Sequence, residues 1–133
     1  GNHLLFLGPF RYGSERHLGA LAAADALVLP ATRYPPIYYA ERHKIFEYMA
    51  AGKAIVAVRT PGAEGVLDEK ACIYTEIGNI ESLADGIIRA LGNKNLREDL
   101  GNRAREILKS NYTWDALAPK YAKFVWNVCQ NKD

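Results

Sequence analysis

The chain contains no run of eighteen apolar residues, so no stretch of it is long and apolar enough to span a bilayer as a helix. Cysteine is scarce: Cys72 and Cys129 are the only two, and they lie far apart. No CxxC pair or Cys/His cluster accompanies them. That argues against a zinc site and fits two buried or incidental thiols in a reducing compartment better than a disulfide. An excess of one charge is also lacking. Seventeen Lys and Arg stand against fifteen Asp and Glu, a formal net charge of +2, too small to argue for a nucleic-acid partner. The chain does not open on Met and has no basic-then-apolar leader. Gly1, followed almost at once by the apolar run 4–7, reads as the start of a piece cut from something longer. The sequon Asn111-Tyr112-Thr113 is read as a chance match in a cytoplasmic chain. No internal repeat or low-complexity linker divides the sequence.

What is present is an ordinary globular composition over 133 residues, with 49% apolar and 24% charged side chains. A disordered chain is excluded, and a single domain with a sizeable core is expected over residues 1–133. Four short apolar runs are bounded by breakers, as buried parallel strands are. They fall at residues 3–7 before Gly8-Pro9, 26–30 ending on Pro30, 54–58 before Thr60-Pro61-Gly62, and 71–75, the weakest of the four. Helical patterns lie between and after them. Ser14 can cap a helix reaching Asp25 with Leu18, Leu21 and Ala22 on one face. A second helix carries Ile45, Phe46, Met49 and Ala50 and stops at Gly52. From Asn79 onward, Ile80, Leu83, Ala84, Ile87, Ile88 and Leu91 recur at helical spacing up to Gly92. Asn95 with Glu98 predicts a capping box for a helix to about Ser110. A last helix holds Tyr121, Phe124, Val125 and Val128, with Pro119 in its first turn or kinking it. This alternation predicts an α/β fold: a parallel sheet of about four strands with helices on both faces.

In such sheets ligands bind beyond the carboxyl ends of the strands, which directs attention to residues 8–13, 30–44 and 59–65. The second segment is the most unusual. Between residues 33 and 59 stand five cations, Arg33, Arg42, Lys44, Lys53 and Arg59, against two acids, Glu41 and Glu47. A helix N-terminus with free N–H groups beside Arg42 and Lys44 suits a phosphate. Glu47 falls on the same helix face as Lys44, where its carboxylate can accept hydrogen bonds from a diol such as a ribose. The same residues suit a solvated charged helix with a Lys44/Glu47 pair. His43 fits a phosphate contact or a surface histidine, and His17 reads as a helix-surface residue. Tyr34, Tyr38 and Tyr39 fit stacking on a base or sugar, or packing over Pro35-Pro36. Trp114 and Trp126 read as core.

Taken in order, Phe6-Leu7-Gly8, Ala24-Asp25-Ala26-Leu27-Val28-Leu29-Pro30, Glu47 to Val58, Pro61 to Val66, Gly78 to Ile87 and Tyr112-Thr113-Trp114 cover nearly the whole chain. This ordered set resembles the C-terminal half of GT-B glycosyltransferases of the group 1, family 4 type. The resemblance implies a partial Rossmann-like donor-binding domain of an enzyme that transfers a sugar, with retention, from a nucleotide-sugar to an acceptor. Cell-surface polysaccharide or glycoconjugate synthesis is the expected setting. The acceptor site would lie mostly on a separate N-terminal domain, and no metal or other cofactor is implied. Glu47 matches the family's second motif glutamate, which holds the donor ribose. The first glutamate, near the donor sugar, falls at Tyr39, so the pair is broken; Glu41 substitutes only if the loop is reshaped. His43-Lys44-Ile45-Phe46-Glu47 looks closer to a variant of the motif. The expected donor-binding set is therefore Glu47, Lys44, His43, Glu41, Tyr39 and Gly62, with Gly62 permitting close backbone approach.

The family's first two βα units, with a glycine-rich turn and diphosphate-gripping Arg and Lys, do not precede Gly1 here. In the order 3-2-1-4-5-6, the run 3–7 is the third strand, separated by two others from 26–30. The fragment must therefore close that gap by setting 3–7 beside 26–30, leave an apolar edge exposed, or take a strand from another chain; an uncovered edge is an association template, and a homodimer of this chain is the expectation. Two other classes compete. A receiver domain fits the length, but these strands end in Gly8-Pro9, Pro30 and Arg59 rather than in acidic residues. A non-catalytic nucleotide- or protein-binding domain fits the broken glutamate pair.

Overall fold

The computed structural model describes residues 3–40 and 43–130. Three parallel strands, β1 (Ala26–Leu29), β2 (Ala54–Val58) and β3 (Ile73–Thr75), form a sheet in the order β1-β2-β3. Ala26 faces Ala54 and Leu29 faces Ala57; Val56 faces Ile73 and Val58 faces Thr75. Seven helices accompany them among the described residues. These are α1 (Glu15–Ala23), α2 (Pro35–Tyr38), α3 (His43–Ala51), α4 (Pro61–Glu64), α5 (Ile80–Gly92), α6 (Lys94–Asn111) and α7 (Trp114–Gln130).

β2 is apolar at every position because both of its faces are covered; all five of its residues are buried. Ile55 and Ala57 pack with Ile45 and Met49 of α3 and with Ala63, Val66 and Leu67 on one side. Ala54 and Val56 pack with Ile73, Ala90 of α5 and Leu100 of α6 on the other. The predicted doubly covered parallel sheet is thus present. Its helices begin on short polar caps: Ser14 accepts from the His17 N–H, Thr60 from Ala63 and Asn79 from Ser82. α3 ends where Gly52 turns left-handed at φ 63°.

Several expectations fail. Residues 3–7 form no strand: Leu4, Leu5 and Phe6 stand 75%, 77% and 85% exposed. A strand needs a neighbour for its hydrogen bonds. In the order 3-2-1-4-5-6 this run is separated from β1 by two other strands, and among the described residues nothing pairs with the outer edge of β1. The sheet therefore has three strands, and the last is shorter than predicted. α6 starts earlier than the Asn95/Glu98 pattern predicts, because Asn93 is the residue whose side chain reaches the Leu96 N–H, at 3.0 Å. Pro119 lies inside α7, beyond the first turn. α7 has no buried residue, and Trp114 and Trp126 are exposed rather than core. Cys72 is buried and Cys129 exposed, and both are free.

Candidate functional site

Two clefts open around the start of α3. One, of about 580 Å³, lies beyond the carboxyl end of β1 and is lined by Pro30, Thr32, Pro36, Ile37, His43 and Lys44. The other, of about 890 Å³, lies between α1 and α3, with Tyr12, His17, Leu18, His43, Phe46 and Glu47 in its wall. His43 borders both. The structure therefore brings His43, Lys44 and Glu47 to one helix end but divides them: Lys44 faces the cleft over β1, and Glu47 faces the cavity against α1. Both volumes lie in the range of small-ligand sites.

Glu47 does not pair with Lys44. Its Oε2 lies 3.3 Å from Nε2 of His17, and both side chains are largely buried. No ion pair to Lys44 is present among the described residues. His17 is accordingly no surface residue. Its Nδ1 accepts the Gly13 N–H at 3.2 Å, and the rings of Phe10 and Tyr12 stand 6.3 and 5.7 Å away. The sequence carries a signal for this placement. His17 is four residues before Leu21 and so shares the inward face of α1. Arg105 of α6 also borders the cavity and donates to the Ala50 and Ala51 carbonyls, satisfying the end of α3.

The remaining expected residues fall as follows. Glu41, with its neighbour Arg42, lies outside the described residues. Tyr39 caps the C-terminus of α2, is exposed, and meets Tyr38 edge-on at 4.9 Å. Gly62 is buried in α4, and the chain's own loop occupies the space beside it. A Cβ at Gly62 would come within 2.6 Å of the Ala40 carbonyl carbon and 3.0 Å of the Tyr39 carbonyl oxygen. The missing side chain thus lets the loop after α2 lie against α4, which ties the β1 cleft to the end of β2.

Beyond β2, Arg59 is fully engaged. It donates to Glu64 at 2.6 Å and to Glu69 at 2.8 Å, and its guanidinium lies 4.4 Å from the Tyr74 ring centre. The bonds to Glu69 and Glu64 raise its pKa above the ordinary arginine value. The Tyr74 hydroxyl donates to the Leu67 carbonyl at 2.9 Å. Among the described residues, no group of three or more His, Cys, Asp or Glu side chains is placed to hold a metal ion, and no helix is long and apolar enough to cross a membrane.

A parallel sheet covered on both faces, with a cleft beyond the carboxyl end of β1, defines a doubly wound α/β domain. Two solved structures share it. A sucrose-phosphate synthase from Thermosynechococcus elongatus superposes with a TM-score of 0.69 at 23% identity, over 84% of this chain and 27% of that one. A glycosyltransferase from Rickettsia africae does so with a TM-score of 0.67 at 18% identity, over 85% of this chain and 30% of that one. An uncharacterized glycosyltransferase of Methanocaldococcus jannaschii is 35% identical over 80 residues, which is 59% of this chain and 20% of that protein. The family model for glycosyl transferases group 1 matches residues 2–107. The chain belongs to that family, and its fold is that of the family's GT-B C-terminal domain. It spans about a fifth of the curated relative and under a third of the two solved chains.

Proposed function

We propose that this chain is the donor side of a retaining glycosyltransferase. The bond between the sugar and the diphosphate of a nucleotide-sugar breaks, a glycosidic bond to the acceptor hydroxyl forms, and the nucleoside diphosphate departs. Polysaccharide or glycoconjugate synthesis at the cytoplasmic side of the cell is the setting this reading favours, and it requires no metal. The observation that carries the reading is the placement of His43, Lys44 and Glu47 on one helix, opening onto the cleft beyond the end of β1 and the adjoining cavity between α1 and α3, in a chain of this family. Lys44 and His43 meet the phosphates, and Glu47 accepts from the ribose hydroxyls. The partners are the nucleotide-sugar and an acceptor-side domain of the full-length protein. For these residues alone, a second copy at the outer edge of β1 is a further partner.

The test is Glu47→Ala in the full-length protein, read by donor kinetics and thermal melting. A lost hydrogen bond to a charged group is worth roughly 1.5–3 kcal/mol, so the donor KM should rise about 10- to 100-fold with the melting temperature little changed. The second reading is a non-catalytic nucleotide- or protein-binding domain. The tyrosine at position 39, which breaks the glutamate pair, favours it. Unchanged kinetics with lost stability would establish it in place of the first.

A further inference from the structure

We infer that His17 is a positioning residue for Glu47: it fixes the carboxylate in the orientation that reads the sugar of the nucleotide. This rests on the donor-side reading above and goes beyond it, because His17 lies on a different helix from the motif that carries Glu47. The proton on the ring can be placed. The Gly13 N–H donates to Nδ1 at 3.2 Å, so Nδ1 is an acceptor and the ring N–H is at Nε2. Nε2 is the atom that stands 3.3 Å from Glu47 Oε2. A carboxylate offers about four acceptor positions. At 3.3 Å the ring edge of His17 closes off one side of Oε2, leaving Oε1 and the remaining position on Oε2 for two adjacent hydroxyls.

The histidine is itself held. The Ser14 hydroxyl accepts from its backbone N–H at 3.3 Å as the cap of α1, and Phe10 and Tyr12 flank its ring. Glu47 has three rotatable side-chain bonds, and fixing it before the ligand arrives removes that ordering cost from binding. His17 and Glu47 both form part of the wall of the 890 Å³ cavity, so the held carboxylate faces space large enough for a nucleoside.

The experiment uses the full-length protein and titration calorimetry with UDP, GDP and ADP. The 2′,3′-dideoxy form of whichever binds tightest is then compared with its parent. The readout is the ratio of the two affinities, which reports the ribose contact and not the phosphate grip. Glu47→Ala should collapse the ratio by about 10- to 100-fold. His17→Leu, which fits the apolar face of α1 but has no donor, should reduce it by about tenfold. His17→Gln keeps an N–H at the reach of Nε2 and should restore most of it. His17→Asn, polar but too short, should behave as His17→Leu and serves in its place if the leucine variant fails to fold. A collapse with Glu47→Ala but an unchanged ratio with both His17→Leu and His17→Asn overturns the role of His17 alone. An unchanged ratio with Glu47→Ala, or no binding of any of the three nucleotides, overturns the donor-site reading and this inference with it.

Discussion

Beyond the carboxyl end of β2, Arg59 is gripped by Glu64 and Glu69 and lies over the ring of Tyr74. Beyond the end of β1, Lys44 opens onto a cleft with no acidic partner among the described residues. Both are basic side chains at the same edge of one sheet, and topology accounts for their different surroundings. β2 is the central strand, so its end is walled by α4 and by β3, which supply Glu64 and Tyr74. β1 is an edge strand, paired with β2 alone, and the space beyond its end stays open. A cation near a strand end is therefore informative only once its neighbours are known: Arg59 stabilises the fold, and Lys44 is left with its charge available to a ligand.

The sharpest way to break this comparison is Lys44→Ala in the full-length protein. If Lys44 meets the donor diphosphate, a charge-assisted bond worth roughly 1.5–3 kcal/mol is lost. The donor KM should then rise about 10- to 100-fold, while the melting temperature stays close to the parent's because the side chain is exposed and makes no ion pair among the described residues. A melting temperature that falls with an unaltered donor KM would class Lys44 with Arg59. Arg59→Gln is the mirror experiment and is expected to have a smaller effect. It removes both carboxylate partners' cation and leaves Glu64 and Glu69 facing each other without it, so thermal melting should shift downward while donor kinetics hold. A rise in donor KM at unchanged stability would mean that the β2 end also contacts ligand.

The sequence made some of this contrast legible. The runs at 26–30 and 54–58 were readable as strands because Pro30 and Thr60-Pro61 stop them within one residue or two of where they end. Ser14, Asn79 and Gly52 marked helix ends by chemistry that acts within four residues, which a pattern can see. The run at 3–7 was misread because strand formation depends on a partner that no local pattern specifies. α2 and α4 are single turns, too short to show a period. Asn93 and Asn95 are both good caps, and only the backbone geometry decides between them. Tyr39, Lys44 and Glu47 were picked out together, yet their surroundings differ: Glu47 is met by a histidine thirty positions upstream, and Lys44 by no acid among the described residues. The grip on Arg59 was equally hidden, since Glu69 is ten residues away along the chain and reaches it only after the chain has turned through α4.

The finest test separates the two things Tyr74 does beside Arg59. Tyr74→Phe keeps the ring under the guanidinium and removes only the hydroxyl bond to the Leu67 carbonyl. A neutral hydrogen bond of this kind contributes about 1 kcal/mol, so at pH 7 the variant should melt slightly below the parent, and by less than Arg59→Gln if the ion pairs carry most of the grip. The pH dependence identifies the cause. Burial first, and the nearby Cys72 second, raise the Tyr74 pKa well above the ordinary phenol value of 10.0. The folded state therefore keeps a proton that the unfolded chain releases above about pH 10. The stabilisation is complete below that pH and declines progressively above it, toward the raised pKa of the folded state. Cys72, pushed up to about 12 by burial and held down in part by its bond with Tyr74, adds a slope of the same sign from lower pH; losing the hydroxyl raises it further, so the thiol keeps its proton in both folded proteins up to pH 11 and its slope is common to both over that interval. The deficit of Tyr74→Phe should thus shrink as melting is followed from pH 9 to pH 11. A deficit that stays constant over that interval would mean that the Tyr74 hydroxyl is not held in the buried, proton-donating state described here.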